Sequence, residues 1–188
     1  MGEERIARLR ISLEDWEPEV WRTVDVPIAA NLKSLHDIVQ AAMGWQDYHL
    51  WEFEAADVRY GLHDPDWPDV EFVAAEDAKL DDLVGQGVRA FSYTYDMGDD
   101  WRHVVTVESV GPAEAGIVYP RLIGGERRCP PEDVGGLPGF DHFLAAVADP
   151  AHEDHRELLD WHGGPFDEED FDAAEASRRV ATAGCGPA

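Results

Sequence analysis

The chain has 188 residues, 44% hydrophobic and 29% charged, with seven Trp, seven Phe and five Tyr. This is enough apolar material for a packed core, which excludes disorder for most of the chain. Fifteen basic against forty acidic residues leave a formal charge of −25, which disfavours binding to nucleic-acid phosphates or anionic membrane leaflets and favours solubility, cations or a protein partner with a basic surface.

Ile6 to Leu13 alternates apolar and polar residues, the period of a half-buried strand. Val20 to Val26 alternates again before Pro27, and the acidic connector between them holds Pro18, so the two segments read as a hairpin with a long loop. Asn31 is the expected N-cap of a helix from Leu32 to Met43, with its apolar residues on one face and Gly44 at its end. His49 to Ala55 reads as a strand. The acidic stretch from Asp64 to Asp82 reads as a solvated excursion, with a short helical turn at Leu80 to Val84. Arg89 to Tyr95 and Trp101 to Glu108 read as strands joined by the tight turn Asp96-Met-Gly-Asp-Asp100, where Gly98 is expected to supply a positive φ. Gly124 to Gly139 reads as an ordered loop. Three short helices are expected over Phe140 to Ala148, Glu153 to Trp161, and Glu168 to Val180, the last capped by Asp167.

Strands thus dominate the first two thirds and helices the last third, the segregation of an α+β fold. The expectation is a single domain over 1–182 and a flexible tail over 183–188. The N-terminus runs directly into a strand, no apolar stretch is long enough to span a membrane, and only Cys129 and Cys185 are present. A cytoplasmic location follows as an expectation, with the oligomeric state open. Halophilic adaptation also accounts for such acidity.

Several strings are more particular than propensity requires. They are Pro18-Glu-Val-Trp-Arg22, Leu35-His36 with Met43-Gly-Trp45, His49-Leu-Trp-Glu-Phe53, Tyr93-Thr-Tyr-Asp-Met-Gly-Asp-Asp-Trp-Arg-His103, Cys129-Pro-Pro-Glu-Asp-Val-Gly-Gly136, Asp149-Pro150 with His152 and His155, and Trp161-His-Gly-Gly-Pro-Phe-Asp167. In this order and spacing the chain resembles the plasmid pRiA4b ORF-3-like family, found on plasmids, in bacterial chromosomes and as passengers of mobile insertion elements. The resemblance implies an α-β roll, mainly antiparallel, with one early helix and a C-terminal group of short helices. It implies no biochemical activity, although some passengers carry a resolvase-like label. Family members often have Cys where this chain has Leu122, and Phe where it has Met97. The first departure weakens a thiolate-pair metal site.

The residues that could carry chemistry form three groups. Asp96 and Asp99 with Trp101 and His103 can bind a cation or pair as acid and base, or can simply shape and pack a turn. His152 and His155, three apart at a helix start, can share a metal or serve as interhelix contacts. Cys129 with Glu132 and Asp133 lies on a stiff Pro-Pro loop that presents carboxylates or pins the C-terminal helices to the sheet. With His49 these ten residues are the candidate cluster, and His103, His152, His155 and Asp96 are the expected metal ligands, for zinc, manganese or magnesium. No phosphate loop, nucleophile elbow, dinucleotide-binding fingerprint or Cys-rich zinc motif is present. The first expectation is therefore a non-catalytic binding or accessory domain. The alternative is a metal-binding protein or metal-dependent hydrolase. A DNA-acting resolvase-like role ranks last, because basic residues occur only in small groups such as Arg127-Arg128 and Arg178-Arg179.

Overall fold

A computed structural model describes residues 4–62 and 72–183. Residues 64–71 of the acidic stretch lie outside the described residues, as does the expected tail apart from Ala183. The elements in order are β1 (Arg5–Leu13), β2 (Trp21–Pro27), α1 (Leu32–Met43), β3 (Trp51–Ala55), β4 (Val58–Gly61), β5 (Val73–Ala74), α2 (Leu80–Gly85), β6 (Ala90–Tyr95), β7 (Trp101–Pro112), β8 (Arg121–Glu126), α3 (Gly136–Ala148), α4 (His155–His162) and α5 (Ala173–Thr182). The strands form one eight-stranded sheet in the order β5-β4-β3-β6-β7-β1-β2-β8, antiparallel except between β4 and β5. The expected α+β class is the one observed.

Strand alternation builds a sheet with one apolar face. Leu9 and Ile11 of β1 stand beside Val24 and Arg22 of β2 and beside Val107 and Val105 of β7. Tyr93 and Tyr95 of β6 pair with His103 and Trp101 of β7 and with Phe53 and Trp51 of β3. All except Val107 and Trp51 are at most 1% exposed. The opposite face carries Arg8, Arg10, Asp25 and Arg102, with Arg8 and Arg121 both bonded to the Asp25 carboxylate. Leu32, Leu35, Ile38, Val39, Ala42 and Met43 of α1 are buried, and burying each Leu, Ile or Val is worth roughly 1.5–3 kcal/mol. Asn31 caps α1 as expected, accepting from Ser34 N at 2.8 Å, and Gly44 ends it at φ 101°.

Four expectations are corrected. The turn between β6 and β7 takes its positive φ at Asp96 (58°) and Asp100 (55°), not at Gly98. Asp tolerates the left-handed region, and here Asp96 Oδ1 accepts from Gly98 N at 2.8 Å and Asp99 N at 3.3 Å, which holds it there. Gly124 and Gly125 belong to strand β8, not to a loop. A Cβ at Gly125 would stand 2.6 Å from Arg22 Cδ, so glycine is what lets β8 approach the buried Arg22. The last helix begins at Ala173 under an Asp172 cap, because Asp167 is engaged in its own turn with Glu169 N. His49 precedes its strand, which starts at Trp51.

A closed ring of hydrogen bonds joins α1, β6 and the segment after Gly44. Asp47 N donates to Gln40 Oε1 (2.9 Å), which orients the Gln40 amide so that its Nε2 donates to Tyr93 OH (2.9 Å). Tyr93 OH then donates to His36 Nδ1 (2.8 Å), and His36 Nε2–H donates to Asp47 (2.9 Å). The His36 ring is stacked on Trp51 at 3.9 Å.

Burial pushes His36 down to about 3 and His103 down to about 4, whereas an unfolded His titrates near 6.5. Below pH 6.5 the unfolded chain binds protons that the folded chain does not. Stability is therefore fully present above pH 6.5 and falls as the pH drops towards 4. Urea unfolding between pH 7 and 5 should show a loss of about 2 kcal/mol per buried imidazole, and His103→Phe should remove its share of that slope. An unfolding midpoint that does not change over this range would contradict the assignment.

Candidate functional site

Three loops converge at one end of the sheet. The segment from Trp45 to Leu50 brings His49, the β6–β7 turn brings Asp96, and the loop from Cys129 to Gly135 brings Glu132 and Asp133. His49 Nε2 lies 3.1 Å from Asp133 Oδ1, 3.6 Å from Asp96 Oδ2 and 3.9 Å from Glu132 Oε2. The Nε2 atom is buried, yet has no partner with hydrogen-bond geometry among the described residues. Three carboxylates therefore surround the tip of this imidazole without lying along its N–H direction.

Each carboxylate is positioned by its own backbone. Asp96 is 8% exposed, and its Oδ1 is occupied by the turn amides, leaving Oδ2 towards His49. Glu132 Oε1 accepts from Gln46 N at 2.7 Å, and the Tyr95 hydroxyl sits 3.2 Å from both of its oxygens. Tyr95 OH in turn accepts from Tyr48 N at 2.9 Å, and its ring meets that of His49 edge-on. Burial raises the Glu132 carboxyl above its ordinary range and raises the Tyr95 phenol. Asp133 stands at φ 58° with its side chain 66% exposed, forming the open side of the cluster. Asp99 ties two of the loops together by accepting from Gly135 N at 3.0 Å.

Beside the cluster is a cleft of about 760 Å³, between the C-terminal end of α1, the Cys129–Asp133 loop, the end of α4 and the start of α5. Glu132 and Asp133 line it, whereas His49 and Asp96 are not part of its lining. The cluster and the cleft thus meet at the two adjacent acids.

Of the ten residues singled out from the sequence, His49, Asp96, Glu132 and Asp133 come together and Asp99 braces them. Trp101 is fully buried and packs on Trp45. His103 is fully buried and contacts Tyr93 O, neutral at ordinary pH because burial lowers its pKa. Cys129 is a free, buried thiol pushed up to about 12 by burial. Leu122 pairs opposite Val24 in the sheet.

The expected ligand set of His103, His152, His155 and Asp96 is not assembled. Three groups of potential ligand atoms lie within 4.8 Å of one another among the described residues, and none contains His103 or His155. His152 precedes α4 and lies with His142 and Asp154, while His155 bonds to Ala146 O at 2.8 Å. The three-residue spacing does not give a shared helix face, because α4 begins only at His155. In the group of His36, Asp37 and Asp47, His36 and Asp47 are held in the hydrogen-bond ring and Asp37 accepts from Lys33. Tyr95 and Gln46 were missed. Tyr95 alternates with Tyr93 immediately before Asp96, which placed it on the inner face beside the turn.

Gly136 is where the loop meets the β6–β7 turn. It has φ 68°, and a Cβ there would stand 2.6 Å from Asp99 O. Gly136→Ala should cost about 2 kcal/mol in chemical denaturation and loosen the loop that carries Glu132 and Asp133. A loss below 0.5 kcal/mol, the order of an ordinary surface change, would mean that the contact does not hold the loop.

Comparison with known proteins places this chain in a family. Residues 5–175 match the family model described as plasmid pRiA4b ORF-3-like protein. Uncharacterized protein y4hQ of Sinorhizobium fredii is 42% identical over 172 residues, covering 92% of this chain and 86% of that protein. The crystal structure of MM3350, a protein of unknown function from Methanosarcina mazei Go1, has a TM-score of 0.86 and 33% identity, covering 94% of this chain and 98% of the other. With the family model spanning nearly the whole described fold, the chain belongs to the plasmid pRiA4b ORF-3-like family.

Proposed function

We propose that this protein binds one divalent cation between His49, Asp96 and Asp133, with Glu132 beside it, and presents that cation to a ligand or hydrolysable substrate in the adjoining cleft. The observation that carries this reading is the arrangement around His49 Nε2. Two ligands about 2.1 Å from a tetrahedral ion stand about 3.4 Å apart, and the observed 3.1 and 3.6 Å bracket that spacing.

Charge supports the same reading. Three carboxylates share one imidazole, and a dication relieves their mutual repulsion. One nitrogen and several carboxylate oxygens suit manganese or zinc, with magnesium a weaker fit. The buried free thiol of Cys129 suits a reducing compartment, in keeping with a cytoplasmic location. A purely accessory binding domain is the lesser reading, because it gives no reason for three loops to bring these side chains together.

The test is calorimetric titration and thermal shift of protein purified without an affinity tag. One Mn²⁺ or Zn²⁺ per chain is expected. Asp96→Asn and Asp133→Asn retain residues that tolerate positive φ, so they should fold normally while weakening the ion at least about tenfold. Asp100→Asn, on the same turn but paired with Arg102, should leave it unchanged. Absence of both heat and thermal shift with Zn²⁺, Mn²⁺ and Mg²⁺ would sink the proposal.

A further inference from the structure

Two pairs of adjacent arginines are divided in the same way. Arg127 reaches Glu169 at 2.5 Å and Arg178 holds Glu175. Their neighbours Arg128 and Arg179 have no carboxylate within 4.0 Å among the described residues, and both line the cleft. Arg22 lines it as well, 1% exposed. The Arg22 side chain donates to the carbonyls of Ala42, Trp21, Glu126 and Arg127, so its hydrogen bonds are met while its charge is not. In a chain of net charge −25, three cations without carboxylate partners among the described residues surround one cavity.

Two of the three guanidinium groups stack on aromatic rings. Arg128 lies 4.8 Å over the Phe166 ring and Arg22 lies 3.9 Å over Phe171. Stacking on a ring leaves the planar fork of N–H groups available at its edge, where it matches two oxygens of one anion. The Arg22 fork is occupied by carbonyls, so it contributes a positive field. Arg179 shows one side-chain bond, from Nη2 to Trp45 O at 2.5 Å. Five acids also line the cleft: Glu175 holds Arg178, Glu132 and Asp133 face His49 in the cation cluster, Asp172 caps α5 while keeping its charge, and Asp170 is exposed. Trp161, 47% exposed, offers a flat apolar surface in the same cleft.

We infer that the cleft binds a small organic anion, its carboxylate or phosphoryl group held by Arg128 and Arg179 and its flat body resting on Trp161. This rests on the cation reading in one respect, that the far end of the ligand meets the ion at Asp133. The arginine end stands without it.

The experiment is calorimetric titration of the full chain with phenyl phosphate, benzoate and the neutral benzyl alcohol, each with and without Mn²⁺. One or both anions should bind, the tighter one identifying the head group, and benzyl alcohol should not. Arg128→Gln should weaken the anion about tenfold or more, whereas Arg127→Gln, whose native partner lies outside the cleft, should leave it within about twofold. Trp161→Ala, which removes a ring 47% exposed, should weaken it as well. Asp133→Asn should remove only the Mn²⁺-dependent part of binding, so a failed cation site and a failed anion site give different results. Equal binding of benzyl alcohol, equal effects of the two arginine substitutions, or no heat from either anion would overturn the inference.

Discussion

His36 lies flat on Trp51 beneath α1 and closes a ring of hydrogen bonds with Tyr93, Gln40 and Asp47. The position of the segment that carries His49 depends on this ring. Asp47 sits two residues before His49 and is held by both its amide and its carboxylate. Each member satisfies the next, so no buried side-chain polar group of the ring is left without a partner, and removing one would expose the others to the full cost of desolvation. The ring also requires a neutral imidazole, since Nδ1 must accept while Nε2 donates. Burial supplies that neutrality. The same buried contact thus anchors α1 to the sheet and aims the loop at the end of the sheet.

The chain handles its negative charge in two different ways. On the polar face of the sheet, acids are matched to arginines: Asp25 is bonded to Arg8 and Arg121, and Arg121 reaches on to Glu114. At the end of the sheet the acids are matched to each other's surroundings instead. Asp96 is held by turn amides, and Glu132 by a backbone N–H and a tyrosine hydroxyl. Neutral donors fix these carboxylates in place without cancelling their charge. That distinction separates a structural salt bridge from a group left free to attract a cation. The reverse holds across the cleft, where Arg22 is fixed by neutral carbonyls and keeps its positive charge.

Much of the fold was legible because it is written locally. The alternation in Ile6 to Leu13 and Val20 to Val26, the helical face from Leu32 to Met43, and the Asn31 cap and Gly44 stop all follow from residue type and spacing alone. Strand β8 was not legible. Its glycines resemble a loop, and only the buried Arg22 opposite explains why Gly125 must lack a side chain. The positive φ at Asp96 was obscured by Gly98, the obvious candidate two residues later. The hydrogen bonds that hold Asp96 in place come from amides whose direction appears only once the turn is closed.

The sequence by itself determined the α+β class, most strand and helix positions, and a short list of acids and histidines able to carry chemistry, because periodicity and residue type are local properties. Tertiary structure alone decided which of those residues meet. It brought His49, Asp96 and Glu132–Asp133 together from separate loops, buried His103 in the core, and sent His152 and His155 to different partners. Convergence of this kind depends on where sheet register and helix docking place the loop ends, and register is set by burial along whole strands.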